Sequence, residues 1–423
     1  MKQLSVLLAA LLLAAAIAGC GAPSSEPEPT TTGAGGGEIT LSFVRIGNDA
    51  AEAAYWKALI ERFEADNPGI RIEYDDAAIG EAMETKLNSK FSAGMGPDII
   101  GHGIMSVAAR VEAGHYRPIT SYYNEWEGKD DLMASVLANG TYKDEIYGLA
   151  YSTTPFLFAY RKDLFEAADL DPESPPTTWA QLEEYARKLT QKQGDTITQS
   201  GFAFPRSAGN FVEFDVFVFG NGGLYYDADG SPTLDTPEKA EALEFLLGFV
   251  GDVSVPFSAT ETNPFISGTA AMTLINNVAL TPMLTNPEYE GKVGIALPPS
   301  NTTEATFCGC NMLFIGGDCE YPDEAMRFIE YALSANEVLE RARVLNIPVT
   351  RTSQVDAFIA LDPMNAARAV CVEKGIGMPR TTWAAAFQTI RNDMVQQALY
   401  GQMTPAEALA DAQQRLEDEI SAK

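Results

Sequence analysis

His102 and His115 are the only histidines of the chain. Neither stands at metal-ligand spacing from another histidine, which removes most zinc sites and most nucleophiles that need an imidazole base. Carboxylates are abundant instead. With 58 Asp and Glu some pair must lie close in space, so their number says nothing about hydrolytic chemistry. No nucleophile elbow, Walker loop, His-Glu-x-x-His or glycine-rich dinucleotide fingerprint occurs. Asp227 and Asp229 could touch calcium, but the twelve-residue loop with its closing Glu is missing. No cofactor and no metal are expected. The remaining chemistry is that of holding a molecule: 16 Tyr, 21 Phe and 4 Trp supply flat apolar plates, and Asn, Arg and His supply planar donors and acceptors.

The cysteines need separate treatment. Lys2 gives a short basic start, Leu4 to Ala18 form an apolar run, and Ile17-Ala18-Gly19-Cys20 follow at once. That run is too short for a stable membrane anchor and fits the apolar region of a secretory signal. The last four residues resemble a lipobox, where bacterial lipoproteins are diacylated on cysteine and cleaved just before it. The resemblance implies a signal peptide over residues 1–19 and a lipidated Cys20. Residues 20–38 follow as a tether of Pro, Ser, Thr, Gly and Glu without a large apolar side chain. As a flexible coil it reaches roughly 25 Å. The expected location is the extracytoplasmic face of the cell membrane, with lipidated Cys20 as the only attachment. Cys308, Cys310, Cys319 and Cys371 are then left over. They allow three complete pairings in an oxidising compartment, with partners distant from the Cys308-Gly309-Cys310 pair favoured, or four free thiols.

The body is long enough for two domains with large cores, as 46% of residues are hydrophobic. No later stretch reaches the length of a membrane span. The formal charge of −29 is spread along the chain as a solvated surface, with no basic footprint for nucleic acid or anionic lipid.

Elements able to position a site follow from periodicity. Ile39, Leu41 and Phe43 alternate as a strand; Trp56, Leu59, Ile60 and Phe63 recur as a helix closed by Asn67-Pro68-Gly69; Ile70, Ile72 and Tyr74 alternate again. A helix near Glu81–Ser92 leads to a strand entered through Gly96-Pro97-Asp98. Thr178-Trp179-Ala180-Gln181 has the form of a capping box, Asp235-Thr236-Pro237-Glu238 starts another helix, and Thr404-Pro405-Ala406-Glu407 starts the last. Short strands are expected near Phe156–Tyr160, Ala270–Ile275, Val293–Leu297 and Met312–Ile315. Strands alternating with helices point to an α/β fold with helices on both faces of the sheet. With no second low-complexity linker, two lobes would have to be joined by hinge strands.

At this point the chain resembles the extracellular solute-binding proteins of the maltose-binding type (family 1), capture subunits of ABC importers. The markers run in order over nearly all of the mature body. They are Gly96-Pro97-Asp98-Ile99; Tyr147-Gly148-Leu149 leading to Tyr160-Arg161-Lys162-Asp163-Leu164; Thr178-Trp179; Asn221-Gly222-Gly223; Phe265 with Gly268 and Ala270-Ala271-Met272; Val293-Gly294-Ile295 leading to Leu297-Pro298; Asn346-Ile347-Pro348-Val349; and Gly401 to Leu409. The resemblance implies a two-lobed periplasmic-binding-protein fold of type II, with mixed sheets flanked by helices. Lobe one falls at 38–154 plus 304–352 and lobe two at 155–303 plus 353–423. Ligand would sit between the lobes at strand ends, and closure would be a hinge motion.

What the resemblance implies is a non-enzymatic, monomeric capture protein. It takes a small-molecule solute, a mono- or oligosaccharide, and delivers it to the permease subunits of an ABC transporter. The alternatives are a polyol, glycerophosphodiester, polyamine or peptide in the same fold, or a surface-anchored glycan-active enzyme. Tyr225-Tyr226 resembles the paired phenolates of ferric-binding relatives, but Asn221-Gly222-Gly223 before it places it with the sugar-binding subgroup. The expected ligand-binding residues are Asn48, His102, Tyr151, Asn277, Asn311, Arg380 and Trp383. Asn48 and Asp49 end the first strand, or cap the Trp56 helix. His102 lies in a Gly-His-Gly turn that admits close approach of ligand. Tyr151 lies near the first crossover, and Trp383 follows a loop that approaches the cleft in the family. Trp383 is expected either to stack on ligand, so that its loss lowers affinity with little effect on stability, or to join the core. Asn276-Asn277 stand where many relatives carry an aromatic platform. Trp56 and Trp179 are read as core, as are most rings between Phe202 and Phe219. Asp215 or Glu213 could receive hydroxyls or a cationic ligand and stay unassigned.

Overall fold

The computed structural model describes residues 38–47, 49–78, 80–207, 211–255, 257–258 and 261–422. The expected signal peptide, Cys20, the expected tether up to residue 37 and Asn48 lie outside them. Eight strands of the described residues form one sheet: β1 (Ile39–Ile46), β2 (Ile70–Ala77), β3 (Ile99–Gly103), β4 (Gly148–Arg161), β5 (Met272–Asn276), β6 (Val293–Ala296), β7 (Thr306–Ile315) and β8 (Gly375–Ile376). Helices of seven or more residues are α1 (Ala50–Asp66), α2 (Glu81–Ser92), α3 (Trp179–Leu189), α4 (Val212–Gly220), α5 (Pro237–Leu247), α6 (Asn277–Leu284), α7 (Pro322–Ala332), α8 (Ala335–Leu345), α9 (Val355–Leu361), α10 (Asn365–Glu373), α11 (Ala384–Leu399) and α12 (Pro405–Ser421). Among the described residues no helix is long and apolar enough to cross a membrane.

The sheet runs β5-β4-β7-β3-β1-β2, with β6 on β4 and β8 on β7. Strands β1, β2 and β3 are parallel, whereas β7 joins β3 and β4 antiparallel. The first half of β4 pairs with β7, from Gly148 opposite Phe314 to Pro155 opposite Cys308. Its second half pairs with β5 and β6 instead, from Phe156 opposite Asn276 to Arg161 opposite Val293. The expected short strands at 156–160 and 312–315 are thus ends of two long ones, and a single ribbon passes through both halves of the molecule.

Helix ends follow the capping chemistry. Thr178 and Thr404 form reciprocal capping boxes with Gln181 and Glu407, and Pro237 and Pro405 open their helices. Asp49 caps α1, its Oδ1 accepting from Glu52 N at 2.8 Å.

Each half has its own core. On the β1–β3 side Trp56 is fully buried between two arginines: Arg45 sits 5.7 Å and Arg341 5.3 Å from its ring centroid. Tyr151 meets the same indole edge-on at 5.0 Å and is 1% exposed. Arg341 binds the Tyr151 carbonyl at 2.8 Å and the Ala332 carbonyl at 2.7 Å. Tyr151 is therefore a core residue, not a cleft residue; the hinge strand turns this side chain inward onto Trp56. In the other half Phe202, Phe204, Phe214, Phe217, Trp179 and Trp383 pack together. Helices α9 and α10 depart from the expected division. Phe358 and Val372 pack with Val44 and Met312, while Cys371 packs with Leu157. The chain beyond residue 352 thus first covers the junction of the two cores.

The four described cysteines are free and buried, so none of the three pairings is present among them. Burial pushes the Cys310 and Cys319 thiols up to about 12.

Asp215 on α4 is fully buried and held by Arg391 Nη1 at 2.8 Å and Tyr225 Oη at 2.6 Å. Asp215→Ala leaves a cation in the core and is expected to cost about 3–5 kcal/mol, read from the urea midpoint with an unchanged slope.

Candidate functional site

The alternation of a strand places i and i+2 on one face. In β4 only Thr154 and Phe156 keep partial exposure, and in β7 only Gly309 and Asn311. Thr154 pairs with Gly309 and Ser152 with Asn311, and the Phe156 and Phe307 rings stand 5.9 Å apart. One face of the ribbon is thus an open strip between the two cores. Two cavities lie along it. The first, of about 810 Å³, is bounded by Thr154, Gly309 and Asn311 of the ribbon, by His102 of β3 and Ser106 and Arg110 after it, by Glu84 of α2, and by Ala385 and Gln388 of α11. The second, of about 490 Å³, is bounded by Phe156 and Phe307, Glu213 of α4, Phe257, Asn263 and Asn276. The charged and hydrogen-bonding side chains His102, Glu84, Arg110 and Asn311 gather at one end, and the rings of Phe156, Phe257 and Phe307 at the other.

At the first cavity the groups form a connected network. His102 is 5% exposed, and its Nε2 donates to Glu84 Oε1 at 3.1 Å. Arg110 bonds the other oxygen of Glu84 and lies 3.1 Å from His115 Nδ1. His115 stacks flat on Phe91 at 3.8 Å. The hydrogen bond from His102, with Arg110 beside it, holds the Glu84 carboxyl down at about 2. Burial, then the neighbouring Arg110 charge, lowers the His115 pKa. Ser106 Oγ is engaged by the Gly103 carbonyl at 2.8 Å. Charge is therefore balanced and satisfied within the wall before any ligand arrives. His102 Nδ1 is buried without a partner.

The glycines around His102 have separate reasons. A Cβ at Gly101 would fall 2.6 Å from Arg45 Cγ, so that glycine makes room for a buried arginine rather than for ligand; Gly103 lines the cavity opposite Asn311.

At the second cavity burial pushes the Glu213 carboxyl up to about 7, and the adjacent Asp215 charge adds to it. The unfolded carboxyl ionises near 4.5. Between those values the folded state holds the extra proton, so this group makes stability fall as pH rises through the window. Its Oε2 is sealed from solvent and unpartnered.

The sequence-chosen residues divide accordingly. His102 and Asn311 meet in the first cavity. Arg380 and Trp383 instead line a third cavity of about 590 Å³, facing Tyr142–Asp144 and Tyr226–Gly230. Trp383 is 5% exposed and packs 6.0 Å from Phe387, which assigns most of its ring to the core. Asn277 is 2% exposed and spends its Nδ2 on the Asn346 carbonyl at 2.9 Å, tying α6 to the turn after α8. Its neighbour Asn276, the N-cap of α6, is the one at a cavity. Glu84, Ser106 and Arg110 were missed: a lone Glu on an amphipathic helix and a single Arg carry no pattern that separates them from surface residues.

Residues 47–337 match the family described as bacterial extracellular solute-binding protein. The chain is similar to the sn-glycerol-3-phosphate-binding periplasmic protein UgpB of Escherichia coli (strain K12), 24% identical over 70% of this chain and 71% of that protein. Among solved structures it is similar to an ABC transporter solute-binding protein from Thermotoga lettingae bound with alpha-D-tagatose, with TM-score 0.73 and 25% identity over 90% of this chain and 99% of that one. It is also similar to the sugar-binding protein MalE from Xanthomonas citri, with TM-score 0.83 and 20% identity over 91% of this chain and 98% of that one. The fold is the two-lobed one of these binding proteins, and the chain belongs to the bacterial extracellular solute-binding proteins.

Proposed function

We propose that this chain captures a small carbohydrate, a mono- or oligosaccharide, in the groove along the β4–β7 ribbon and hands it unchanged to the permease subunits of an ABC importer. The observation that carries the reading is the cavity of about 810 Å³ walled by both halves and floored by the ribbon they share. Its size suits one or two sugar rings. Hydroxyls would find Asn311, His102 and Gln388, and the apolar faces of a ring would find Phe156 and Phe307. Lobe one is read as 38–154 plus 304–352 and lobe two as 155–303 plus 353–423, with α9 and α10 at the junction. Closure of one lobe on the other around the solute would be the state the permease recognises.

A phosphorylated solute is the poorer fit despite the glycerol-phosphate relative, because Arg110 is already neutralised by Glu84. The tether, with Cys20 diacylated, would keep a monomeric body within reach of the membrane. Capture without turnover is the expected activity.

Three measurements test this. In a thermal-shift panel, at least one sugar at about a hundred times its Kd should stabilise the fold by about 2.7 kcal/mol; a panel without any shift sinks the carbohydrate reading. His102→Ala and Asn311→Ala should each weaken that sugar at least about tenfold, the loss of a buried hydrogen bond, while far-ultraviolet circular dichroism is unchanged. Trp383→Ala should instead cost about 3–5 kcal/mol of stability, because its ring fills the core.

A further inference from the structure

The second cavity contains one charged group among its described lining residues, Glu213, and three phenylalanine rings, Phe156, Phe257 and Phe307. Two carboxylates stand two residues apart on α4, and their surroundings differ completely. Asp215 is matched by Arg391 and Tyr225 inside the core. Glu213 forms no ion pair among the described residues, and its Oε2 is sealed and without a partner. An unpaired carboxyl against apolar walls is costly to keep. Neutral hydroxyls do not require it, since amides serve them as well, and Asn263 and Asn276 already present amides to this space.

We propose that this cavity is the subsite for a protonated amino group, so that the solute is an amino-substituted carbohydrate whose ammonium pairs with Glu213 among the three rings. The inference rests on the solute-binding reading of the groove and narrows its substrate class. Ring faces carry negative quadrupole charge and attract an ammonium that has shed its water. Arrival of the cation makes the ionised carboxylate the stable form: neutral Glu213 plus ammonium becomes a carboxylate–ammonium pair, and the Glu213 proton passes to water. The charged groups facing Glu213 are Asp215 on the same helix, which holds its proton on, and Arg391 from α11, which opposes that. Tyr225 stands behind Asp215. With the carboxyl pushed up to about 7, amine binding tightens as pH rises toward neutrality, whereas binding of a neutral sugar does not.

The test is calorimetry on the purified chain with glucosamine and its β-1,4 dimer, their N-acetylated twins, and glucose and cellobiose. At least one amine should bind about tenfold or more tighter than its acetylated twin, and about fivefold tighter at about pH 7 than at about pH 6. Glu213→Gln should abolish both differences. The variant should fold and melt no lower than the parent above neutral pH, since it removes a buried carboxyl. Equal binding of amine and twin, or an amine preference that survives Glu213→Gln, overturns the amino subsite while capture of a sugar stands. If neither class binds, both readings fall.

Discussion

The antiparallel pairing of β4 with β7 is the constraint on which the molecule depends. Fourteen residues of one strand and ten of the other are long enough to leave one core, cross the junction and enter the next. Both strands are buried on nearly every residue, so the ribbon is fixed in register by side chains of both halves. Only where the cores part does one of its faces open, at Thr154, Phe156, Gly309 and Asn311. The bulge between Asn311 and Met312 sits at that place, where a local break in the ladder lets the ribbon bend. Floor of the groove and hinge of the molecule are therefore the same stretch of backbone.

The walls are built so that binding need not organise them. Glu84, His102, Arg110 and His115 bond one another, and Ser106 is held by the Gly103 carbonyl. Side chains already fixed cost less entropy to engage. Beneath them Arg45 and Arg341 clamp Trp56, and Arg45 reaches Glu52 and Asp76 at 2.6 and 3.1 Å. Arg45, bonded to the Ile46 carbonyl and packed on Gly101, holds the C-terminal ends of β1 and β3, and Arg341 holds β4 at Tyr151. In the opposite wall Glu213 forms no ion pair among the described residues, and its Oε2 has no hydrogen-bond partner.

Elements with strong local signals were legible from the amino acids. The Trp56 helix, the capping boxes at Thr178 and Thr404 and the strands at 39–46 and 70–77 lie where periodicity and cap chemistry place them, because such features depend on residues within one or two turns. Strand length was not legible at β4 and β7. Their apolar runs carry no alternation when both faces are buried, and their middles, Ser152-Thr153-Thr154 in β4 and Gly309 with Asn311 in β7, read as a break. The site was half legible. His102 stands near the C-terminal end of β3, and Asn311 pairs next to it from the middle of β7. Tyr151 and Asn277 looked equivalent by position, yet one turned onto Trp56 and the other onto the Asn346 carbonyl.

Sequence alone determined that this is an acidic α/β chain with a signal-like start followed by a stretch poor in large apolar residues, and similar in marker order to solute-binding proteins. Those properties are sums over composition or sit within short windows. Tertiary structure alone decided which of two neighbouring residues faces a cavity: Asn276 over Asn277, Glu213 over Asp215, Thr154 over Tyr151. The physical reason is that a side chain's exposure is set by what packs against it from distant parts of the chain, and Arg341, Arg391 and the turn at Asn346 lie well over fifty residues away from the groups they claim.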